Sequence, residues 1–146
     1  MKKKGQIGYT CGVFDLFHIG HLNLLRNAKG MCDCLIVGVS TDNLVMQTKR
    51  KLPLIPFKQR IEIVRNIKCV DIAIPQRSLD KLRAWRKLKF DRLFVGDDWY
   101  SRQKWKHYED SLKLAGVKVI FFPYTKDTSS TKINELLKEK RMVVKR

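Results

Sequence analysis

The chain has 146 residues, 44% hydrophobic and 10% aromatic, which excludes a disordered chain and suits one domain with a proper core. Its 31 lysines and arginines against 14 acids leave a formal charge of +17, which points to an anionic partner: nucleic acid, an anionic membrane surface or small phosphorylated ligands. No apolar run approaches the roughly 18 residues of a membrane helix, and no continuous apolar stretch follows the basic opening, so neither a membrane span nor a signal peptide is expected and the expected location is the cytoplasm.

Taken in chain order, IGYTCGVF (7–14) is rich in strand formers, and HLNLLRNAKG (21–30) spaces Leu22, Leu25 and Ala28 as a helix with Gly30 as its stop. CLIVGVS (34–40) is a continuous apolar run, as in a strand buried on both faces. Residues 41–57, basic and punctuated by prolines, read as a mobile loop. FKQRIEIVRNI (57–67) puts Ile61, Val64 and Ile67 on one helical face, VDIAIP (70–75) reads as a strand, and LDKLRAWRKL (79–88) as a helix. RLFVG (92–96) is a buried strand, 101–115 a helix ending at Gly116, and VKVIFFP (117–123) a strand. TSSTKINELLKEKR (128–141) opens with capping residues and continues as a helix. Strand and helix alternate five times, which predicts an α/β domain: a five-stranded parallel sheet with helices on both faces and ligands at the carboxyl ends of the strands. One domain is expected over 1–141, followed by a basic tail, 142–146. Cys11, Cys32, Cys34 and Cys69 form no CxxC pair and are expected to be reduced, mostly buried thiols rather than zinc ligands.

Residues 15–21, DLFHIGH, fall where the first strand gives way to the first helix. A helix N-terminus binds phosphate through unpaired N–H groups and its partial positive charge. Gly20 lets a phosphate approach the backbone, and His18 and His21 add two donors suited to a phosphoryl centre that gains charge in its transition state. After the fourth strand, Val95-Gly96-Asp97-Asp98-Trp99 offers acids placed for ribose hydroxyls or a metal. After the fifth, Thr125, Ser129, Ser130 and Thr131 offer hydroxyls that cap a helix or bind phosphate oxygens. All three segments lie at strand ends on one edge of the predicted sheet.

GVFDLFHIGHLNLL, VGDDW and SSTKI, in this order over most of the chain, resemble the small nucleotidyltransferases of the cytidylyltransferase family, above all its bacterial glycerol-3-phosphate branch. The resemblance implies a single Rossmann-like domain of the HUP type and a reaction in which a substrate phosphate attacks the α-phosphate of CTP. Pyrophosphate leaves and a CDP-linked alcohol forms, with glycerol 3-phosphate the expected acceptor and Mg²⁺ accompanying the triphosphate. By the same resemblance His18 and His21 stabilise the transition state, and Lys49 or Lys51 reaches the phosphates. Gly12, Val13, Phe14, Gly20, Arg60, Asp97, Asp98, Trp99, Thr125, Ser129, Ser130 and Thr131 border the nucleotide. Asp15 and Lys81 are acceptor-side candidates, Asp15 with an alternative structural role, and a homodimer is implied.

The chain departs from the family pattern at Tyr124, where an arginine is usual, and at Asp127, where glycine is usual; Thr128 and Ser130 are milder changes. Lys126 is a candidate to supply the charge that Tyr124 lacks. Four alternatives follow. Adenylyl transfer from ATP to a sugar or pantetheine phosphate is favoured by the Ser129-Ser130-Thr131 run and opposed by GDDW. Phosphoethanolamine or phosphocholine could replace glycerol 3-phosphate. A class I aminoacyl-tRNA synthetase shares a His-Ile-Gly-His-like signature but needs domains for which this length leaves no room. A specific nucleic-acid function lacks any recognised motif.

Overall fold

The computed structural model describes residues 5–97, 99–123 and 133–139, with the side chains of 97 and 99–105 outside that description. Five strands, β1 (Ile7–Gly12), β2 (Cys34–Ser40), β3 (Ile72–Gln76), β4 (Arg92–Asp97) and β5 (Lys118–Pro123), form one wholly parallel sheet in the order β3-β2-β1-β4-β5. The helices are α1 (Ile19–Lys29), α2 (Asp42–Lys49), α3 (Phe57–Arg65), α4 (Lys81–Leu88), α5 (Trp99–Leu114) and a further helical stretch, 133–139.

The strand order explains where the helices lie. From β1 the chain steps through β2 to β3 in one direction, then returns to β4 and β5 in the other. Crossovers of one hand put the helices of the two directions on opposite faces. The packing agrees. Leu25 and Ala28 of α1 and Ile61 and Val64 of α3 close over Leu35, Val37 and Val39 of β2 and Phe94 of β4. On the other face Leu82, Trp85 and Leu88 of α4 and Leu112 of α5 meet Tyr9, Ile36, Leu93 and Val95. The strands β2 and β4 therefore supply side chains to both faces, which is why they read as unbroken apolar runs.

The reversal also opens the sheet where a site is needed. The ladder between β1 and β4 runs only through Gly8–Arg92 and Tyr9–Leu93, whereas β1 pairs with β2 from Ile7–Cys34 to Gly12–Val39. Past Tyr9 the link to β4 is a side chain: Thr10 Oγ1 donates to the Phe94 carbonyl at 2.9 Å. The carboxyl ends of β1 and β4 thus splay apart at the switch point, the place where ligands bind in such sheets. At the amino end an aspartate before each of three strands accepts an N–H of the neighbouring strand's start. Asp33 takes Gln6 N (2.6 Å), Asp71 takes Leu35 N (2.7 Å) and Asp91 takes Ile7 N (2.9 Å).

Several expectations are corrected. The segment 41–57 is not a loop throughout: Asp42–Lys49 is helix α2, started by the Thr41 hydroxyl accepting Leu44 N at 3.2 Å and seated by buried Leu44 and Val45. Lys49 therefore stands on the last turn of a helix, and Lys51 lies just past it. The first strand stops at Gly12, because Phe14 and Leu16 turn the chain with left-handed φ values of 54° and 49°. The four cysteines are free thiols, but half-buried rather than buried. Of the helix expected over 128–141, residues 133–139 are helical and the others lie outside the described residues.

Candidate active site at the carboxyl edge of the sheet

The turn from β1 into α1 carries backbone strain. Left-handed φ angles are uncommon for bulky residues such as Phe14 and Leu16 and persist only where surroundings enforce them. The enforcement is visible. The Phe14 ring is buried in the core and packs against Gly12, where a Cβ would sit 3.3 Å from the ring. The Asp15 carboxylate accepts Leu16 N at 3.1 Å. It also accepts Leu54 N and Ile55 N, each at 2.9 Å, and so ties the segment after α2 to this turn.

His18 is the N-cap of α1. Its Nδ1 accepts Gly20 N at 3.0 Å, while its own N–H donates to Nδ1 of His21 at 3.2 Å. This is a capping box built from two imidazoles in place of the usual hydroxyl and carboxylate. The rings stack with centroids 3.9 Å apart, and His21 is flanked by Phe14 and Phe17. With both Nδ1 lone pairs occupied by N–H groups, the proton of each neutral ring sits on Nε2, which makes each Nε2–H a donor. Burial lowers the pKa of His18. Burial, with neighbouring His18 and against the opposing pull of Asp15, lowers His21 to about 4. Both rings are therefore neutral near pH 7. The Gly20 N–H is engaged by His18, so a phosphate approaching this helix start meets imidazole donors first.

Arg60 is expected at the nucleotide, but the structure places it inside the scaffold. Its side chain is fully buried in a ring of acceptors: Nε donates to the Ile55 carbonyl (2.7 Å) and Nη1 to Val13 (2.7 Å) and Ser40 (2.8 Å). Nη2 pairs with Asp42 at 2.7 Å. Asp42 also receives Phe57 N at 3.2 Å. One guanidinium thus fastens the β1–α1 turn, the end of β2, the start of α2 and the segment before α3. Sequence reasoning missed Asp42; the only signal was its place after the capping Thr41.

A cleft of about 240 Å³ lies beside this scaffold. Val13, Phe14, Asp15 and His21 form one wall, Val45, Lys49, Lys51 and the 52–54 segment the other, and Asn134 reaches it from the 133–139 helix. The structure therefore brings together His21, both candidate lysines and the β1–α1 turn. Asn134 had no signal in the sequence beyond following the SSTKI run. Lys81 begins α4 and is buried on the opposite face of the sheet, with Nζ 2.7 Å from the Cys11 sulfur. Asp97 ends β4 at the same carboxyl edge, its backbone in register with Pro123, and Trp99 opens α5. Asp98, Tyr124, Thr125, Lys126, Asp127, Thr128, Ser129, Ser130 and Thr131 lie outside the described residues. Among the described residues, no group of three histidine, cysteine or acidic side chains could hold a metal ion, and no helix is long and apolar enough to cross a membrane.

Paired imidazole donors and two lysines at a sheet opening are an arrangement that can hold a phosphate group. The family model described as cytidylyltransferase-like matches residues 9–136. The chain belongs to the cytidylyltransferase-like family. It is 38% identical over 127 residues to a glycerol-3-phosphate cytidylyltransferase of Bacillus spizizenii, covering 86% of this chain and 92% of that one. It is 33% identical over 130 residues to an FAD synthase of Pyrococcus abyssi, covering 87% and 86%. Among solved structures, the lipopolysaccharide core biosynthesis protein of Thermoplasma volcanium superposes with a TM-score of 0.69 at 24% identity, covering 86% of this chain and all of that one. That likeness shows the fold. As a member of the family the chain is a nucleotidyltransferase.

Proposed function

We propose that the enzyme transfers CMP from CTP to glycerol 3-phosphate, giving CDP-glycerol and pyrophosphate. The observation that carries this reading is the reciprocal histidine cap, which commits both Nδ1 atoms to the backbone and leaves two neutral Nε2–H donors beside a cleft walled by Lys49 and Lys51. The choice of CTP and of this acceptor draws support from the 38% identity to a glycerol-3-phosphate cytidylyltransferase.

In the proposed reaction an oxygen of the acceptor phosphate attacks the α-phosphorus of CTP. A new P–O bond forms as the bond to the β-phosphate breaks, and pyrophosphate carries the electron pair away. No protein nucleophile is needed. His18 and His21 donate to the α-phosphate oxygens where charge builds, and Lys49 and Lys51 neutralise the β- and γ-phosphates. Gly12, Val13 and Phe14 border the nucleotide. Asp97, Asp98 and Trp99 are assigned to the ribose and base, and Thr125, Ser129, Ser130 and Thr131 to the phosphates. Arg60 acts through the scaffold rather than on the nucleotide. Lys81 is assigned to the acceptor phosphate and Asp15 to holding the 54–55 segment. Mg²⁺ is proposed to accompany the triphosphate, where it would neutralise phosphate charge. A homodimer and a cytoplasmic location complete the reading; free thiols fit a reducing compartment.

The FAD synthase relative, at 33% identity, favours a second reading in which ATP is the donor. One assay separates the two: pyrophosphate release with Mg²⁺ for CTP and ATP against glycerol 3-phosphate, phosphoethanolamine and phosphocholine, with His18→Ala as the blank. Release with CTP and glycerol 3-phosphate alone is the expected result. Release only with ATP, or with another acceptor, would replace the substrate assignment.

A further inference from the structure

On the α4/α5 face of the sheet, next to the glycine that ends β1, a thiol, an amine and a phenol meet. Cys11 is half-buried, Lys81 is 4% exposed and Tyr9 is 2% exposed. Lys81 Nζ stands 2.7 Å from Cys11 Sγ, and the Tyr9 hydroxyl is hydrogen-bonded to the same thiol. The geometry is held from both sides. Cys11 lies in the β1–β2 ladder, one pair from its carboxyl end, opposite Gly38. A Cβ at Gly38 would fall on the Tyr9 hydroxyl and 3.3 Å from the Cys11 Cβ, so glycine there leaves the cluster its space. Lys81 is the first residue of α4, whose start is pinned by Asp80 accepting Leu82 N (3.0 Å) and Arg83 N (3.2 Å). Two rigid elements thus hold a nucleophilic nitrogen within bonding approach of an oxidisable sulfur. The Cys32 thiol, by contrast, is spent on the Ala28 carbonyl at 3.3 Å.

We propose that Cys11 and Lys81 form an oxidative modification site in which hydrogen peroxide converts their contact into a covalent sulfur–nitrogen cross-link. In the first step the thiol attacks the peroxide: its sulfur is oxidised by two electrons to a sulfenic acid, the O–O bond breaks and water leaves. In the second, the Lys81 ammonium gives one proton to solvent and the freed Nζ lone pair attacks that sulfur. The N–S bond forms, the S–O bond breaks, and the hydroxyl departs as water with a second proton from the nitrogen. A thiol reductant reverses the change: one thiol attacks the sulfur and frees the amine, and a second resolves the mixed disulfide, restoring Cys11 and releasing oxidised reductant. The cross-link removes the positive charge of Lys81 and draws the start of α4 onto β1, one residue before Gly12. The consequence for turnover rests on the proposed function, in which Lys81 serves the acceptor phosphate; the cross-link itself does not.

The test is intact mass and peptide mapping of the reduced full-length chain before and after hydrogen peroxide. The expected product lacks two hydrogen atoms, yields a peptide pair joining Cys11 to Lys81, reverts with dithiothreitol, and does not form in either Cys11→Ser or Lys81→Arg. Recovery of Cys11 as sulfinic acid or in a disulfide, with Lys81 unlinked, would overturn the proposal. So would unchanged oxidation of the Lys81→Arg protein. With CTP and glycerol 3-phosphate, the lost fraction of activity should equal the cross-linked fraction and return with dithiothreitol. If the cross-link forms in a protein that releases pyrophosphate with neither CTP nor ATP, the modification site stands and the substrate assignment fails.

Discussion

Each imidazole of the DLFHIGH motif divides its work between its two nitrogens. Nδ1 accepts a backbone N–H and starts α1, while Nε2 holds the proton that the proposed reaction offers to a phosphate. The two roles can be separated. Asparagine is among the best N-cap residues, so His18→Asn should keep thermal stability within about 0.5 kcal/mol of the native chain. It removes the imidazole donor, so pyrophosphate release should fall about 10²–10³-fold. A variant that loses stability and activity together would show that His18 serves only the helix. Arg60 gives the opposite case. Its guanidinium satisfies three carbonyls and Asp42 with no exposed surface, so Arg60→Met should destabilise the fold by about 3–5 kcal/mol, as read by chemical denaturation. The place of the histidines at the start of α1 was legible because the first strand ends just before them and a helical apolar spacing begins just after; their mutual cap was not. Arg60 was not, because helical periodicity places it beside Ile61 and Val64 without revealing that carbonyls from three distant segments converge on it.

Between α2 and α3 the chain runs as a strap that brings Lys51 and the 52–54 segment to the cleft. Arg60 holds its Ile55 carbonyl, and one carboxylate holds its amides: Asp15 accepts both Leu54 N and Ile55 N. An Asp15→Ala change leaves those two amides without their partner. Hydrogen exchange at Leu54 and Ile55 should then quicken about ten- to hundredfold. KM for the nucleotide should rise more than kcat falls, because the lysine wall is displaced while the histidines stay in place. Unchanged exchange at both amides would remove Asp15 as the fastener. The helix α2 was hidden from sequence reasoning by its length and its neighbours. Eight residues with a basic end, followed by two prolines, present too little apolar repeat to stand out from a loop; only the Thr41 cap and the Leu44–Val45 pair carried the signal. The same limit applies to Asp33, Asp71 and Asp91. Each immediately precedes or nearly precedes an apolar strand, a pattern plain once parallel neighbours are known and mute before that.

At the scale of the molecule, the alternation of elements was enough to predict a parallel sheet, since continuous apolar strands need helices on both faces. The gap between β1 and β4 was implied only by topology, because no residue pattern states which strands part company. The titrating groups add a property of the whole fold: a stability maximum between about pH 7 and 9. On the acid side, His21 titrates at 6.5 when unfolded and about 4 when folded. Between these values the unfolded chain binds more protons, so stability falls as pH drops through that window. Below 3.8 a second loss follows. Burial tends to raise the Asp71 pKa, but the Leu35 N–H and Lys29 outweigh it and hold it below the usual value, so acid must protonate a bonded carboxylate. On the alkaline side burial raises Cys32 and Cys69 above 9.0 and Tyr9 above 10.0. The unfolded chain releases those protons first, and stability falls as pH rises past 9. Melting temperatures by calorimetry at fixed ionic strength should trace this profile. The sharper test compares the native chain with His21→Gln. The native chain's advantage should shrink as pH falls from 6.5 to 4, because only the native chain carries the buried imidazole that must stay neutral. A constant difference across that range would mean that His21 titrates normally in the fold, and the neutral pair of donors would lose its physical basis.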